Sequence, residues 1–293
     1  MKKPTYLSLL AMMKTLTHPL IAPENPDVLV IAHRGAWQTT PENSLAALDE
    51  AIHLGADIIE IDAQTTADAQ LVVIHDAHLD RTCDYQGEVA TMPLSMVRRA
   101  RLKAADGREG MVLTSERVPL LEELLEEARG RIVVNVDIKY PRDLERVVSL
   151  ILSMNMADGV LLKSKMDITA QRFPLALAGV PKPIPFMPIL HARPGLFAAD
   201  LRNIKQFGAQ MIELNFTDLA DVTAARDELK RLGVRLWVNT LDVSHSLDFC
   251  DSRATQDPEG VWGVLIEAGV RAFQTDNVGQ LVRWLKDRGN KRS

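Results

Sequence analysis

Three apolar runs in the first third of the chain end in side chains suited to acid–base or metal chemistry. The first run leads into His33-Arg34-Gly35, the second contains Glu60 and Asp62, and the third leads into His75-Asp76. Burying charge costs several kcal/mol unless the charge is paired or coordinated. One shared site therefore explains three such endings better than three separate accidents do. Two histidines, an arginine and carboxylates suit metal-assisted attack on an anionic ester.

The carboxylates predict a divalent-cation site. Glu60 and Asp62 lie two positions apart on one predicted strand, so their side chains share a face. Asp137 ends another apolar run and adds a third carboxylate. Such groups repel one another unless a cation lies between them, and hard oxygen ligands favour Mg²⁺, Ca²⁺ or Mn²⁺ over zinc. The alternative is a solvent-facing pair of acids at a strand end.

The two histidines are the candidates for proton transfer. Imidazole has a pKa of about 6.5, which suits both a general base and a general acid near neutral pH. A lone histidine after an apolar strand is more often a packed core residue, but His33 and His75 both stand at strand ends beside charged neighbours. Asp76 either fixes the tautomer of His75 or caps the following turn, and the sequence favours neither role.

Arg34 and Lys139 are the candidates for binding phosphate oxygens. Lys139 follows Asp137 by two positions and shares its face, although a surface lysine is the alternative. Glu42 either hydrogen-bonds a substrate hydroxyl, orients Arg34, or is an acid favoured by the dipole of a helix N-terminus. Trp237 is predicted to end a late strand and to form an apolar wall against the alcohol part of a substrate.

The predicted elements alternate between strands and helices, as in an α/β fold. The candidate strands are 28–33, 57–62, 71–75, 131–137, 159–163, 185–190, 210–215, 234–239 and 271–275. Only eight residues join the second and third, too few for a crossover helix, so 71–75 is predicted to fold back as a hairpin arm. The remaining eight predict a (β/α)₈ TIM barrel, with the hairpin and the insertion 76–118 after its second strand.

Helix signals accompany these strands. Asn43 or Ser44 is predicted to cap a helix that passes through Leu45 and Ile52. Further helices are predicted over 120–127, 142–153, 223–232 and 278–288. Gln274-Thr275-Asp276 closes the last predicted strand, and Asp276 is expected to have a structural role there, capping the final helix. The single barrel domain is expected to span 28–288, after an N-terminal extension, 1–27, with an amphipathic helix.

Composition limits the class of protein. The chain has 293 residues, 46% hydrophobic and 25% charged, with a net charge of −5. The charge argues against a nucleic-acid partner, but a small phosphodiester needs only local positive charge. Two cysteines without metal-type spacing fit a reducing compartment, so a cytoplasmic location is expected, with a periplasmic one left open by the signal-like N-terminus. No apolar run reaches the ~20 residues of a membrane span. The oligomeric state is open, and a homo-oligomer is compatible with the sequence.

The ordered motifs resemble those of glycerophosphodiester phosphodiesterases, from about Val28 to about Trp284. They are His33-Arg34-Gly35, Pro41-Glu42-Asn43-Ser44, Glu60-x-Asp62, His75-Asp76-x-x-Leu79-x-Arg81-Thr82 and Asp137-Ile138-Lys139. The resemblance implies a metal-dependent phosphodiesterase that releases an alcohol and glycerol 3-phosphate or a related phosphomonoester. It also implies that Glu60, Asp62 and Asp137 bind the metal and that Glu42 lies at the site. Many relatives carry glutamate where this chain has Asp137, which leaves the metal's identity open.

Three alternatives stay open at this level. One is a phospholipase of the same superfamily, although the insertion is too charged to suggest a membrane-facing rim. Another is a hydrolase of sugar phosphodiesters such as agrocinopine-type opines, and the third is a non-catalytic barrel that binds a phosphorylated ligand. A turnover assay separates the third from the others.

Overall fold

The computed structural model describes residues 19–169, 184–205 and 208–291, which fall into two compact units. The first unit comprises 30–160 with 276–282, and the second comprises the other described residues. Residues 19–27 of the predicted N-terminal extension form turns and bends. Residues 1–18, where the amphipathic helix is predicted, lie outside the described residues.

The strands of the first unit support the candidate site. The elements are β1 (Leu29–His33), α1 (Leu45–Leu54), β2 (Ile58–Thr65), β3 (Leu71–Val73), α2 (Leu94–Val97), β4 (Arg101–Lys103), β5 (Leu113–Arg117), α3 (Leu121–Ala128), β6 (Val133–Ile138) and α4 (Leu144–Ser153). Strand β2 pairs in parallel with both β1 and β6. Because β1 and nearly all of β2 are buried, their apolar runs need no alternation of polar residues.

The predicted hairpin and insertion are confirmed. Strand β3 runs antiparallel to β2, with Ala63 opposite Val73. The insertion that follows carries α2 and the antiparallel pair β4–β5. It shares an apolar core with Val72 and Ile74 of the hairpin arm, to which the insertion contributes Leu79, Cys83, Val89, Val97 and Leu102. This core gives a segment with weak sequence periodicity a fixed framework.

Local signals set the helix boundaries in this unit. The Ser44 hydroxyl accepts a hydrogen bond from the Ala47 N–H at 3.0 Å, so Ser44 rather than Asn43 caps α1. The helix predicted from residue 142 begins at Leu144, because a 3₁₀ turn over Pro141–Asp143 precedes it. Gly55 ends α1 with a φ of 85°, the left-handed conformation that glycine adopts without strain.

The second unit contains the later strands. Its elements are β7 (Val160–Lys165), β8 (Phe186–His191), α5 (Phe197–Lys205), β9 (Met211–Asn215), α6 (Leu219–Leu232), β10 (Arg235–Leu241), β11 (Ser244–His245), α7 (Asp251–Gln256), α8 (Val264–Ala268), β12 (Val270–Thr275) and α9 (Val278–Asp287). Strand β7 and helix α9 are each shared at one end with the first unit, and Leu29 of β1 belongs to the second. Strands β7, β8, β9, β10 and β12 pair in parallel in this order. Helix α6 starts four residues before the predicted Thr223, because the Asp218 carboxylate caps it at Leu219.

The fold class is the predicted (β/α)₈ TIM barrel. Among the described residues, β1, β2 and β6 of the first unit and the five parallel strands of the second make up the eight β/α strands. No helix in the described part of the chain is both long enough and apolar enough to cross a membrane.

Candidate active site

Three carboxylates converge at the ends of β2 and β6. Asp62 stands directly opposite Asp137 in the parallel register, and Glu60 stands opposite His33. One oxygen from each of Glu60, Asp62 and Asp137 lies within 4.8 Å of the others, and the first two side chains are buried. Three hard oxygen donors at this spacing fit a divalent cation such as Mg²⁺, Ca²⁺ or Mn²⁺.

Cationic neighbours keep Asp62 ionised. Burial opposes its charge, but Lys139 and Arg34 outweigh that effect and hold the pKa of Asp62 well below its ordinary value. The Lys139 Nζ lies 3.2 Å from Asp62 Oδ1, and the Arg34 Nε lies 3.4 Å from Oδ2. A carboxylate that is charged at neutral pH can bind a metal ion without first releasing a proton.

The loop after β1 brings polar groups to the same carboxylate. Arg34 and Asn43 both have φ values of 56°, a conformation that asparagine tolerates better than most residues. The Asn43 amide donates to Asp62 Oδ2 at 2.9 Å, and its oxygen accepts from the Asp62 N–H at 3.1 Å. A Cβ on Gly35 would lie 2.6 Å from the Cβ of Ala47, so only glycine allows this loop to pack against α1.

His33 is held by a residue that the sequence had placed in a structural role. Its Nδ1 lies 2.8 Å from Asp276 Oδ1, and the same oxygen accepts from the Trp37 indole N–H at 3.1 Å. The sequence predicts that Asp276 caps the final helix. Its observed position makes it the carboxylate that orients His33. The signal in the sequence was the Thr275-Asp276 ending, which resembles the family's terminal Thr-Asp.

His75 is fixed through both its ring and its backbone. Its Nδ1 lies 2.7 Å from Asp76 Oδ1, so this carboxylate orients the ring, the first of the two roles predicted for Asp76. The Gln64 amide donates to the carbonyls of Ile74 and Asp76, at 2.9 and 2.8 Å, on either side of His75. Gln64 shares a strand face with Glu60 and Asp62, a spacing that could have marked it in the sequence.

Glu42 lies between two arginines. It accepts from Arg34 Nη1 at 3.0 Å and from Arg81 Nη2 at 2.7 Å. Arg81, in the insertion, also binds Asp76. The structure therefore favours an arginine-orienting role for Glu42. The sequence prediction missed Arg81, although it stands within the His75-Asp76-x-x-Leu79-x-Arg81-Thr82 motif.

Eight of the nine predicted site residues lie in the first unit, and Trp237 lies in the second. Trp237 is the third of seven residues in β10 rather than its end, so that part of the prediction is wrong. The side chain is fully buried, and its indole N–H donates to Asn239 Oδ1 at 2.9 Å. The Lys163 Nζ lies 5.7 Å from the centre of the Trp237 ring and 3.3 Å from a Glu213 oxygen.

Comparison with known proteins gives three kinds of match. A family model described as a domain of unknown function matches residues 186–285. A glycerophosphodiester phosphodiesterase of Caldanaerobacter subterraneus subsp. tengcongensis is 38% identical over 142 residues, which cover 46% of this chain. The chain spans 57% of that relative's length.

Solved structures share the fold. A glycerophosphoryl diester phosphodiesterase from Parabacteroides distasonis aligns with a TM-score of 0.71 and 21% identity, over 96% of this chain and 91% of that one. A phosphodiesterase of Oleispira antarctica, in complex with its product sn-glycerol-3-phosphate, aligns with a TM-score of 0.66 and 21% identity, over 90% and 99%. The chain is therefore similar to glycerophosphodiester phosphodiesterases, in sequence over about half of its length and in fold over most of it.

Proposed function

We propose that this protein hydrolyses glycerophosphodiesters to an alcohol and glycerol 3-phosphate or a related phosphomonoester. The observation that carries the proposal is the pairing of two histidines, each held at Nδ1 by an aspartate, with a cluster of three carboxylates. A non-catalytic barrel would need phosphate-binding cations but no pair of oriented imidazoles. The name of the matched relative and the product bound to the Oleispira protein supply the substrate class.

The histidines would transfer protons through Nε2. Because the Nδ1 atoms of His33 and His75 face carboxylates, the neutral rings carry their proton on Nδ1 and present Nε2 as the base. One ring would accept a proton from the attacking oxygen. The other, in its protonated form, would donate one to the alkoxide as the bond between phosphorus and the leaving oxygen breaks. Asp276 and Asp76 would stabilise the imidazolium forms.

The remaining residues would bind the phosphate. Glu60, Asp62 and Asp137 would hold one divalent cation, which when bound supplies positive charge against the phosphate oxygens. Arg34 and Lys139 already lie beside Asp62 and would offset the negative charge that develops in the transition state. Trp237 stays a candidate for contact with the alcohol group.

A substrate panel tests the proposal. The purified chain is incubated with glycerophosphocholine, glycerophosphoethanolamine and glycerophosphoglycerol, each with Mg²⁺, Ca²⁺ or Mn²⁺ or with a chelator. Release of glycerol 3-phosphate in at least one metal-containing reaction is the expected result. The double variant His33→Ala/His75→Ala, purified identically, controls for contaminating host enzymes. Absence of product with every substrate and metal, from a folded protein, would contradict the proposal.

A further inference from the structure

All five N–H groups of the Arg81 guanidinium have an acceptor. Along one edge, Nε lies 2.7 Å from Asp76 Oδ2 and Nη2 lies 2.9 Å from Asp76 Oδ1. Along another edge, Nη2 lies 2.7 Å from Glu42 Oε1 and Nη1 lies 2.9 Å from Glu42 Oε2. The second Nη1 hydrogen points to the carbonyl of Asp106. One planar cation therefore binds two carboxylates, each through two hydrogen bonds.

These two carboxylates lead to different parts of the candidate site. Asp76 accepts from the His75 ring, which is the proposed acid–base group. Glu42 accepts from Arg34, which is the proposed phosphate-binding group and also lies beside Asp62. A continuous hydrogen-bonded path thus joins His75 to Arg34, and Arg81 is at its centre.

The backbone around Arg81 is held in place on several sides. The Lys103 ammonium donates to the carbonyls of Asp80 and Arg81, each at 3.0 Å. A Cβ on Gly107 would lie 2.6 Å from Thr82 Cα and 2.8 Å from the Arg81 carbonyl oxygen. Leu79, two positions earlier, is fully buried in the apolar core that the insertion shares with the hairpin arm. The insertion therefore presents Arg81 from a packed framework and not from a free loop.

The charges at this point depend on one another. Burial acts against the cation, but the hydrogen bonds that Arg81 donates to Glu42 and Asp76 more than offset it and raise the pKa of Arg81. In turn, hydrogen bonds from His75 and Arg81 lower the pKa of Asp76. Glu42 is only 4% exposed, and it forms ion pairs with Arg34 and Arg81. Without Arg81, Arg34 would be the one of these two cations that still binds this buried charge.

We propose that Arg81 is a positioning residue for the hydrolytic reaction, fixing His75 through Asp76 and Arg34 through Glu42. This inference rests on the proposed function for its kinetic consequences. It gives the insertion a role in arranging the site, since Arg81 belongs to the insertion while Arg34 and Glu42 belong to the loop after β1. Lysine cannot substitute for arginine, because an ammonium group has three tetrahedral donors and no planar edge.

Arg81→Lys keeps the charge and removes the two planar edges. We expect its kcat/KM to fall about 10- to 100-fold, the usual range for residues that orient catalytic groups. Arg101→Lys is the matched control, because Arg101 pairs with Asp84 in the same insertion, away from these residues. In Arg81→Ala, millimolar guanidinium should restore part of the activity and methylammonium should not. Activity of Arg81→Lys within twofold of wild type would overturn the proposal.

A double-variant cycle tests the coupling without changing Arg81. Asp76→Asn and Glu42→Gln should each lower kcat/KM. Because both act on one cation, the fold-loss in kcat/KM of the double variant should be at least about fivefold smaller than the product of the two single fold-losses. Fully multiplicative losses would overturn the proposal even if Arg81→Lys fails to fold.

The ring nitrogens of His75 give a measurement that does not need turnover. In ¹⁵N-histidine-labelled protein, His75 should be in the Nδ1–H tautomer, and Arg81→Lys should shift this population while Arg101→Lys should not. An unchanged tautomer in Arg81→Lys would overturn the positioning role. If the tautomer shifts but no glycerophosphodiester is hydrolysed by the wild type, the proposed function fails and the positioning role stands.

Discussion

Nδ1 of His33 lies 2.8 Å from Oδ1 of Asp276, a residue 243 positions later in the chain. His75 makes the equivalent contact with its own neighbour, Asp76, at 2.7 Å. The two rings thus have the same polarity, with Nδ1 toward a carboxylate. Both Nε2 atoms are then available for proton transfer, which is what a reaction with one base step and one acid step requires.

Asp276→Asn should lower kcat by at least about tenfold and leave KM within about twofold. An amide has no negative charge to stabilise the imidazolium, and it can turn its NH₂ group toward Nδ1 and favour the wrong tautomer. The steady-state kinetics of the folded variant give the answer. Trp37→Phe is the control, since it removes an indole N–H that donates to Asp276 Oδ1 and leaves the carboxylate in place. Wild-type kcat in Asp276→Asn would contradict the assignment.

Most of the fold followed from local patterns. Buried parallel strands have continuous apolar runs, so β1 and β6 could be placed to within two residues. The short linker before β3 was enough to predict an antiparallel arm. The carboxylate cluster was also predictable, because Glu60 and Asp62 share a face and because buried charge is costly unless it is paired or coordinated.

What the sequence did not show is which distant groups meet. The sequence predicts a structural role for Asp276, because the contact between Asp276 and His33 depends on the tertiary structure and no spacing in the sequence indicates it. Arg81 looked like one of many charges in the insertion, and nothing local indicates that it binds Glu42, 39 positions earlier. Trp237 was placed at a strand end, whereas β10 continues to Leu241.

His33→Ala and His75→Ala should each lower kcat by about 100-fold or more, the usual scale for a general acid or base. Both residues lie at or beyond strand ends, so circular dichroism should show folded variants with melting temperatures close to wild type. His53→Ala, at the exposed end of α1, should leave kcat unchanged. A folded variant that retains near-wild-type kcat would mean that its histidine has another role.

Removing the divalent cation should abolish turnover. The charges of Glu60, Asp62 and Asp137 repel one another at the observed spacing, so a bound cation should also raise the melting temperature. We expect chelation to eliminate activity, and one of Mg²⁺, Ca²⁺ or Mn²⁺ to restore it. Asp137→Asn should weaken metal binding in calorimetry, whereas Asp137→Glu should keep it with a changed preference among the ions. Full activity after exhaustive chelation would contradict the metal site.

The thiol of Cys83 should make stability fall at alkaline pH. Burial raises the pKa of this thiol from 9.0 to about 11. The unfolded chain loses the proton first as pH rises, so the contribution to stability is complete below pH 9 and is lost between pH 9 and 11. Denaturant unfolding should show wild type losing about 2 kcal/mol more than Cys83→Ala over this interval. Parallel pH profiles for the two proteins would contradict the expected shift.

The paired histidines also bear on which oxygen attacks the phosphorus atom. A glycerophosphodiester carries a hydroxyl on the carbon adjacent to the one that bears the phosphoester oxygen, and its closeness to phosphorus favours internal attack. One histidine would take the hydroxyl proton and the other would protonate the leaving alcohol, giving a five-membered cyclic phosphate. Water would open this ring in a second step, with the histidine roles reversed. We expect this route rather than direct attack by water, which needs only one acid beside an activated water.

The 2-deoxy diester, which lacks that hydroxyl, tests the route. It should turn over at least about 100-fold more slowly than its hydroxylated counterpart, since effective molarities of internal nucleophiles are high. The cyclic phosphate should also be detectable by ³¹P NMR early in the reaction of the hydroxylated substrate. Binding of the deoxy compound as a competitive inhibitor would show that the slow rate does not come from failure to bind. Equal rates for the two diesters, with solvent oxygen entering the phosphate in a single step, would establish direct hydrolysis instead.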